Sequence, residues 1–130
     1  MRKTTGAWLA EARDELESAA ILLDNAKWRA ACLHSQQSVE KGLKELILEK
    51  GKRPPRTHDI IKLLNAVKKQ GWALELEMDD AVYLNSIYRG RYSTEEGLLP
   101  HGEASSEDAR RALKAASTIM TQLQALFGHP

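Results

Sequence analysis

Several polar side chains between residues 34 and 44 share one side of a predicted helix. If the chain turns by about 100° per residue, four groups that can contact an anion or a base fall on one stripe, nearly opposite the apolar positions: His34, Gln37, Lys41 and Lys44. This stripe predicts a phosphate- or base-binding surface that points away from the core. A solvated helix face has the same pattern and remains the simpler alternative. Gln36 and Glu40 lie nearer the core boundary, where a carboxylate usually has a partner.

The sequence lacks the patterns of common metal and cofactor sites. It has no glycine-rich phosphate loop, no Glu-x-x-His pair and no Cys/His ligand spacing. The single cysteine, Cys32, excludes a disulfide framework within the chain. We therefore expect neither a metal nor a cofactor, and no catalytic residue stands out.

Length and composition predict one soluble domain spanning residues 1–130. Lys and Arg number 19 against 18 Asp and Glu, giving a net charge of +1, so a protein that coats DNA by bulk charge is disfavoured. The longest apolar run is five residues, Ala19 to Leu23, far too short for a membrane span, and no signal peptide is recognised. We expect a cytoplasmic protein without a membrane partner.

Apolar residues recur at helical spacing along the chain, and no strand pattern is found. The predicted helices cover roughly residues 5–26, Trp28 to Gly51, Thr57 (as N-cap) to Gly71, a segment carrying Met78 to Tyr88, and Ser105 or Ser106 to Gly128. Residues 89–104 are the longest predicted loop. The fold class is therefore all-α, an antiparallel bundle of about five helices in which the first, second and fifth supply most of the core. The three tryptophans are expected to be core or interface anchors: Trp8, Trp28 and Trp72.

Three ordered pieces of the chain resemble one family. Residues 31–44, ACLHSQQSVEKGLK, are similar to the helix-2 signature of the HEPN domain family (higher eukaryotes and prokaryotes nucleotide-binding). Thr57-His58-Asp59-Ile60 resembles the His-Asp-aliphatic start of that family's next helix. Tyr88 with Arg91-Tyr92-Ser93 resembles its Tyr-x-x-Arg-Tyr-Pro element, with Ser93 where proline is usual. Together the pieces cover essentially the whole chain.

The resemblance implies a helical bundle that is commonly a homodimer and is often encoded beside a minimal nucleotidyltransferase, in some cases as a toxin–antitoxin pair. It also implies a nucleotide- or RNA-associated site at the matched positions. There Arg91 would bind phosphate, Tyr92 would stack on a base and Asp59 would orient His58. The alternative is that Thr57, His58 and Asp59 cap the third helix while Arg91 pairs with a carboxylate such as Glu40.

Some branches of the family are metal-independent endoribonucleases, in which an arginine is followed by a histidine after about four to six residues. Arg29 with His34 and Arg53 with His58 have four residues between them, but chance explains such pairs and neither lies in a late helix. After Arg91, residues 96–98 are Glu, Gly and Leu, and His101 is too distant. The resemblance therefore favours a non-catalytic binding module, with a ribonuclease or a purely structural oligomerisation bundle as alternatives.

A common binding cleft sets a condition on the fold. Lys41, Lys44, His58 and Arg91 come from three parts of the chain. The end of the second helix and the start of the third are neighbours in an antiparallel bundle. Arg91 reaches them only if the fourth helix returns to that end.

Overall fold

The structure, a computed structural model, describes residues 3–90 and 103–128, and the side chains of residues 6–87 and 103–128. Within these ranges the chain forms five helices and no strand: α1 (Lys3–Asp24), α2 (Trp28–Glu49), α3 (Ile60–Lys69), α4 (Met78–Gly90) and α5 (Ser106–Leu126). The prediction of an all-α bundle of five helices is confirmed.

Helix α2 lies at the centre of the bundle and contacts the other four helices. Its apolar side packs into a single core that contains Val39, Leu43 and Leu46, each fully buried. Helices α1 and α5 lie against α2 and also contact each other, whereas α3 and α4 cover a further side of it. The core prediction for the first, second and fifth helices holds, because most of the buried hydrophobic residues of the described chain lie on α1, α2 and α5.

The helix ends follow the local chemistry of the sequence. Gly51 and Gly71 adopt φ values of +78° and +90° directly after the last turns of α2 and α3, a conformation that costs glycine least. Ser105 begins α5 with a capping box: its hydroxyl accepts from the Asp108 amide, and the Asp108 carboxylate accepts from the Ser105 amide. These predicted boundaries are confirmed.

The predicted cap of the third helix is wrong by two residues. Asp59, not Thr57, is the N-cap of α3, and its Oδ1 accepts from the Ile61 and Lys62 amides at 2.9 and 3.3 Å. Thr57 instead accepts from the Asp59 amide at 3.1 Å. The Ile60 amide is bonded to Asn85 of α4 at 2.8 Å, and this long-range contact fixes where the helix begins.

Only three residues, 25–27, connect α1 to α2. The Ala26 amide donates to the Leu23 carbonyl and the Lys27 amide to the Leu22 carbonyl, which is the Schellman arrangement of a helix C terminus. Ala26 has φ +58° at the position where glycine is preferred. The connection is therefore tight, and it holds α1 antiparallel to α2.

The three tryptophans do not share one role. Trp28 and Trp72 pack against the core as predicted. Trp8 is half-buried, and its ring stands beside Lys44 of α2 rather than among the side chains that pack on the core in the described part of the chain. The buried stripe of α1 begins at Leu9 and continues through Ala12 and Ala19.

Candidate functional site

Polar residues along one edge of α2 form two clusters, each centred on a glutamate. The Glu40 cluster consists of Glu40, Gln36 and Lys44 of α2 together with His58, which lies just before α3. The Glu15 cluster consists of Glu11 and Glu15 of α1 together with His34 and Lys41 of α2. The two lysines and the histidine of the predicted α2 stripe therefore all have carboxylate partners, and its fourth member, Gln37, donates to Gln36 at 2.7 Å.

In the Glu40 cluster one buried carboxylate holds two basic side chains. Glu40 is 4% exposed. Its Oε2 accepts from Lys44 Nζ at 3.1 Å, and both of its oxygens lie 2.9–3.0 Å from His58 Nδ1. Gln36 Nε2 donates to Oε1 at 3.3 Å. With Nδ1 carrying the proton, His58 donates to Glu40, which fixes the ring while about half of that side chain remains exposed.

His58 is positioned by the turn that begins α3. Asn85 is buried in α4, and it accepts from the Ile60 amide and donates to Asp59 Oδ1, both at 2.8 Å. Burial alone would raise the pKa of Asp59, but the hydrogen bonds from Asn85 and from the Lys62 and Ile61 amides outweigh it and lower that pKa. The prediction that Asp59 orients His58 is corrected, because the carboxylate that holds the imidazole is Glu40.

The Glu15 cluster is richer in acid. Lys41 Nζ contacts Glu15 at 2.7 Å and Glu11 at 3.2 Å, and His34 Nδ1 contacts the other Glu15 oxygen at 2.5 Å. Burial would raise the pKa of Glu15, but the Lys41 and His34 hydrogen bonds outweigh it and lower that pKa. Burial likewise opposes the raised pKa of Lys41, which its hydrogen bonds to Glu15 and Glu11 produce. Two carboxylates against one ammonium make this cluster a poor anion site.

The prediction that the α2 stripe points outward is wrong for its lysines. The Lys41 and Lys44 side chains are only 20% and 12% exposed. Helix α1 packs along this edge and brings Glu15 and Trp8 against them. A helical wheel shows which residues share a side but not which neighbouring helix covers that side.

The structure brings together two of the predicted site residues, Lys44 and His58. Lys41 and His34 belong to the other cluster. Arg91 and Tyr92 lie outside the described residues, as does the remainder of the predicted loop up to residue 102.

The expectation that the start of α3 lies at the end of α2 is wrong, because His58 lies beside Glu40, near the middle of α2. Gln70 and Trp72, just after α3, donate instead to the Ile47 and Leu46 carbonyls near the end of α2. Asn85, in the second half of α4, contacts the start of α3, so α4 reaches this segment rather than the end of α2.

Three contributors to the site were not predicted as such. Glu40 was expected to need a partner, but its role as the shared acceptor depends on where α3 begins. Asn85 lies in the inner stripe of α4, and a polar residue at such a position is the signal that indicates a buried hydrogen bond. The Trp8 ring centroid lies 5.8 Å from Lys44 Nζ, a contact between helices that spacing within one helix cannot reveal.

Within the described residues, neither a metal-binding cluster nor a membrane-spanning helix is found. Residues 3–90 and 103–128 contain no group of three or more His, Cys, Asp or Glu side chains that could hold a metal ion. Among the described helices, none has the length and apolar character needed to cross a membrane.

The chain is similar in sequence to one protein family and in fold to several solved structures. The family model of the HEPN domain matches residues 5–126. A crystal structure of a protein from Thermus thermophilus has a TM-score of 0.76 at 24% identity, covering 95% of this chain and 98% of that one. A HEPN domain protein from Thermotoga maritima gives 0.72 at 23% identity, with 95% and 99% covered. An archaeal HEPN homologue gives 0.68 at 24% identity, with 97% and 98% covered. No match is found among curated proteins.

Proposed function

Since this chain belongs to the HEPN domain family, we propose that it is a non-catalytic module that binds a nucleotide or an RNA through its phosphate. The binding site is the Glu40 cluster, and the module acts together with a minimal nucleotidyltransferase. The observation that carries the proposal is the single buried carboxylate of Glu40, which holds Lys44 and His58 side by side.

The charge balance supports this cluster over its neighbour. Glu40 neutralises the positive charge of Lys44, so the cluster has no excess of negative charge. The segment that leads to His58 and the first turn of α3 add exposed basic side chains: Lys52, Arg53, Arg56 and Lys62. The Glu15 cluster contains a second carboxylate, Glu11, so its excess charge is negative.

The phosphate is proposed to contact side chains rather than the start of α3. The Ile60, Ile61 and Lys62 amides, which could otherwise bind an anion, already donate to Asn85 and Asp59. Arg91 is proposed to bind phosphate beside His58, and Tyr92 to stack on a base, as the family resemblance implies. The contact of Asn85 with the start of α3 supports this, because the chain reaches Arg91 shortly afterwards.

Binding to AMP and to a short oligoribonucleotide, measured by titration calorimetry, tests the proposal. Lys44→Ala and Arg91→Ala each remove a charge-assisted contact of about 1.5–3 kcal/mol, so each weakens binding about tenfold or more. Lys41→Ala is the matched control on the same helix, since its side chain belongs to the Glu15 cluster. Equal affinity of all three variants and the wild-type protein rejects the site. A lowered Tm with unchanged affinity in Arg91→Ala makes that residue structural.

Two further measurements test the remainder of the proposal. A minimal nucleotidyltransferase encoded beside this gene, purified separately, is expected to form a complex with the chain in size-exclusion chromatography. Incubation with labelled RNA in a metal chelator is expected to leave the RNA intact. Cleavage that disappears in Arg91→Ala and in either His58→Ala or His101→Ala overturns the non-catalytic assignment.

A further inference from the structure

We propose that Trp8 is a base-stacking platform of the site, so that the ligand is recognised as a nucleotide and not only as a phosphate. This inference rests on the proposed function and specifies its ligand class. Trp8 was expected to be a core or interface anchor, as Trp28 and Trp72 are. Its position beside the Glu40 cluster gives it a different role.

The geometry places an aromatic ring next to a phosphate-binding group. Lys44 Nζ lies 5.8 Å from the Trp8 ring centroid and 3.1 Å from Glu40 Oε2. His58 contacts both oxygens of the same carboxylate. Two separate elements therefore converge on Glu40 and Lys44 of α2: α1 contributes the indole ring, and the segment before α3 contributes the imidazole.

This arrangement matches the two ends of a nucleotide. A base and its 5′-phosphate are separated by one ribose, which bridges the distance between the indole ring and the Lys44 ammonium. Trp8 is half-buried, so part of its side chain is accessible to a ligand. Stacking on an aromatic ring tolerates every base because each has a π face. The site therefore gains affinity from any base without reading its identity.

Lys44 competes only weakly with a base for the Trp8 ring. The contact between Lys44 and Trp8 is a cation–π contact at 5.8 Å, near the outer limit of such interactions. Phosphate binding draws the Lys44 ammonium away from the ring, and the face that it covers then accepts the base. Trp28 and Trp72 do not offer this, because both pack against the core and Trp72 also donates its indole N–H to the Leu46 carbonyl.

The test compares AMP with ribose 5-phosphate, which has the same phosphate and sugar but no base. Wild-type protein is expected to bind AMP about tenfold more tightly than ribose 5-phosphate, in line with the usual contribution of one stacked base. Trp8→Leu is expected to reduce that difference by weakening the binding of AMP alone. Trp8→Phe retains most of the affinity for AMP but loses the quenching of tryptophan fluorescence that AMP causes in the wild-type protein.

The outcomes separate this inference from the proposed function. If Lys44→Ala weakens AMP binding while Trp8→Leu leaves it unchanged, the phosphate site stands and the stacking role is rejected. Equal weakening of AMP and ribose 5-phosphate by Trp8→Leu, with a lowered Tm, shows that Trp8 only supports the fold and also rejects it. If neither AMP nor a short oligoribonucleotide binds the wild-type protein, both proposals are rejected.

Discussion

Two glutamates on α2 are both buried but have opposite surroundings. Glu40 accepts from Lys44, His58 and Gln36. Glu45 is 0% exposed, and neither of its carboxylate oxygens has a hydrogen-bond partner in the described part of the chain. Burial, reinforced by the nearby Glu49 carboxylate and only partly offset by Arg13 and the Leu9 backbone, raises the pKa of Glu45 to about 7.

The fold therefore favours the protonated form of Glu45, and the sign of its effect on stability follows. Its contribution is fully present below the unfolded pKa of about 4.5 and is lost as pH rises through about 7. In Glu45→Gln, we expect the free energy of unfolding to change less between pH 4.5 and 8 and to exceed that of the wild-type protein at pH 8 by about 2–3 kcal/mol. Urea denaturation at several pH values measures this.

The control for that experiment is Glu17→Gln, at an exposed position of α1. Its stability is expected to follow the wild-type pH profile. If the Glu45→Gln curve runs parallel to the wild-type curve over the whole range, the pKa of Glu45 is the same in the folded and the unfolded protein, and the assignment is wrong.

The start of α3 provides a second prediction at the scale of single residues. Asp59→Ala removes the N-cap and the acceptor of Asn85, so it should lower the free energy of unfolding by about 1–2 kcal/mol. Thr57→Ala removes only a turn hydrogen bond outside the helix and should cost clearly less. Thermal and urea denaturation of the two variants compare them. A larger loss in Thr57→Ala would restore Thr57 as the effective cap.

At the scale of helices, the packing of α5 on α2 depends on Gly42. A Cβ placed on Gly42 would lie 2.5 Å from Leu123 Cδ1, and Leu123 is fully buried. Glycine is otherwise unfavourable in the middle of a helix, because it loses the most backbone entropy on folding. The close contact therefore requires the absence of a side chain at this one position.

A double-mutant cycle tests that dependence. Gly42→Ala in the wild-type protein should lower the free energy of unfolding by about 1–2 kcal/mol, because the buried Leu123 side chain must move. In a Leu123→Ala background the same change should instead stabilise by up to about 1 kcal/mol, through helix propensity. Urea denaturation of the four proteins gives the coupling. Additive effects would show that Leu123 moves aside without cost.

How far the sequence predicts these elements depends on the range of the interaction. The C-terminal ends of α2 and α3 and the start of α5 are determined locally, and Gly51, Gly71 and Ser105 predict them. The sequence correctly predicts which edge of α2 carries the lysines. It wrongly predicts that they face solvent, because α1 covers that edge. The N-cap of α3 was misplaced for the same reason, because Asn85 from another helix decides it. Contacts between helices are invisible to spacing within one helix.

At the scale of the whole molecule, the homodimer remains a prediction. An apolar surplus was expected on the first, second and fifth helices. Three large apolar side chains of the described residues are more than half exposed: Ile21 lies on α1, as expected, whereas Met78 and Val82 lie on α4. We expect light scattering at micromolar concentration to give twice the chain mass of 14.5 kDa. A mass of one chain would reject the dimer, and the family resemblance would then not extend to assembly.

The three-residue connection between α1 and α2 has a kinetic consequence. Joining these helices closes a short loop, whereas α5 reaches α2 only after a long intervening chain has been ordered. The folding transition state should therefore contain the α1–α2 pair before α5 docks. Ser38→Ala, which removes a hydrogen bond to the Ala12 carbonyl, should mainly slow refolding, and Gly42→Ala should mainly accelerate unfolding. Stopped-flow measurements over a range of urea concentrations would give the refolding and unfolding rates separately. If Ser38→Ala mainly accelerated unfolding and Gly42→Ala mainly slowed refolding, α5 would dock first.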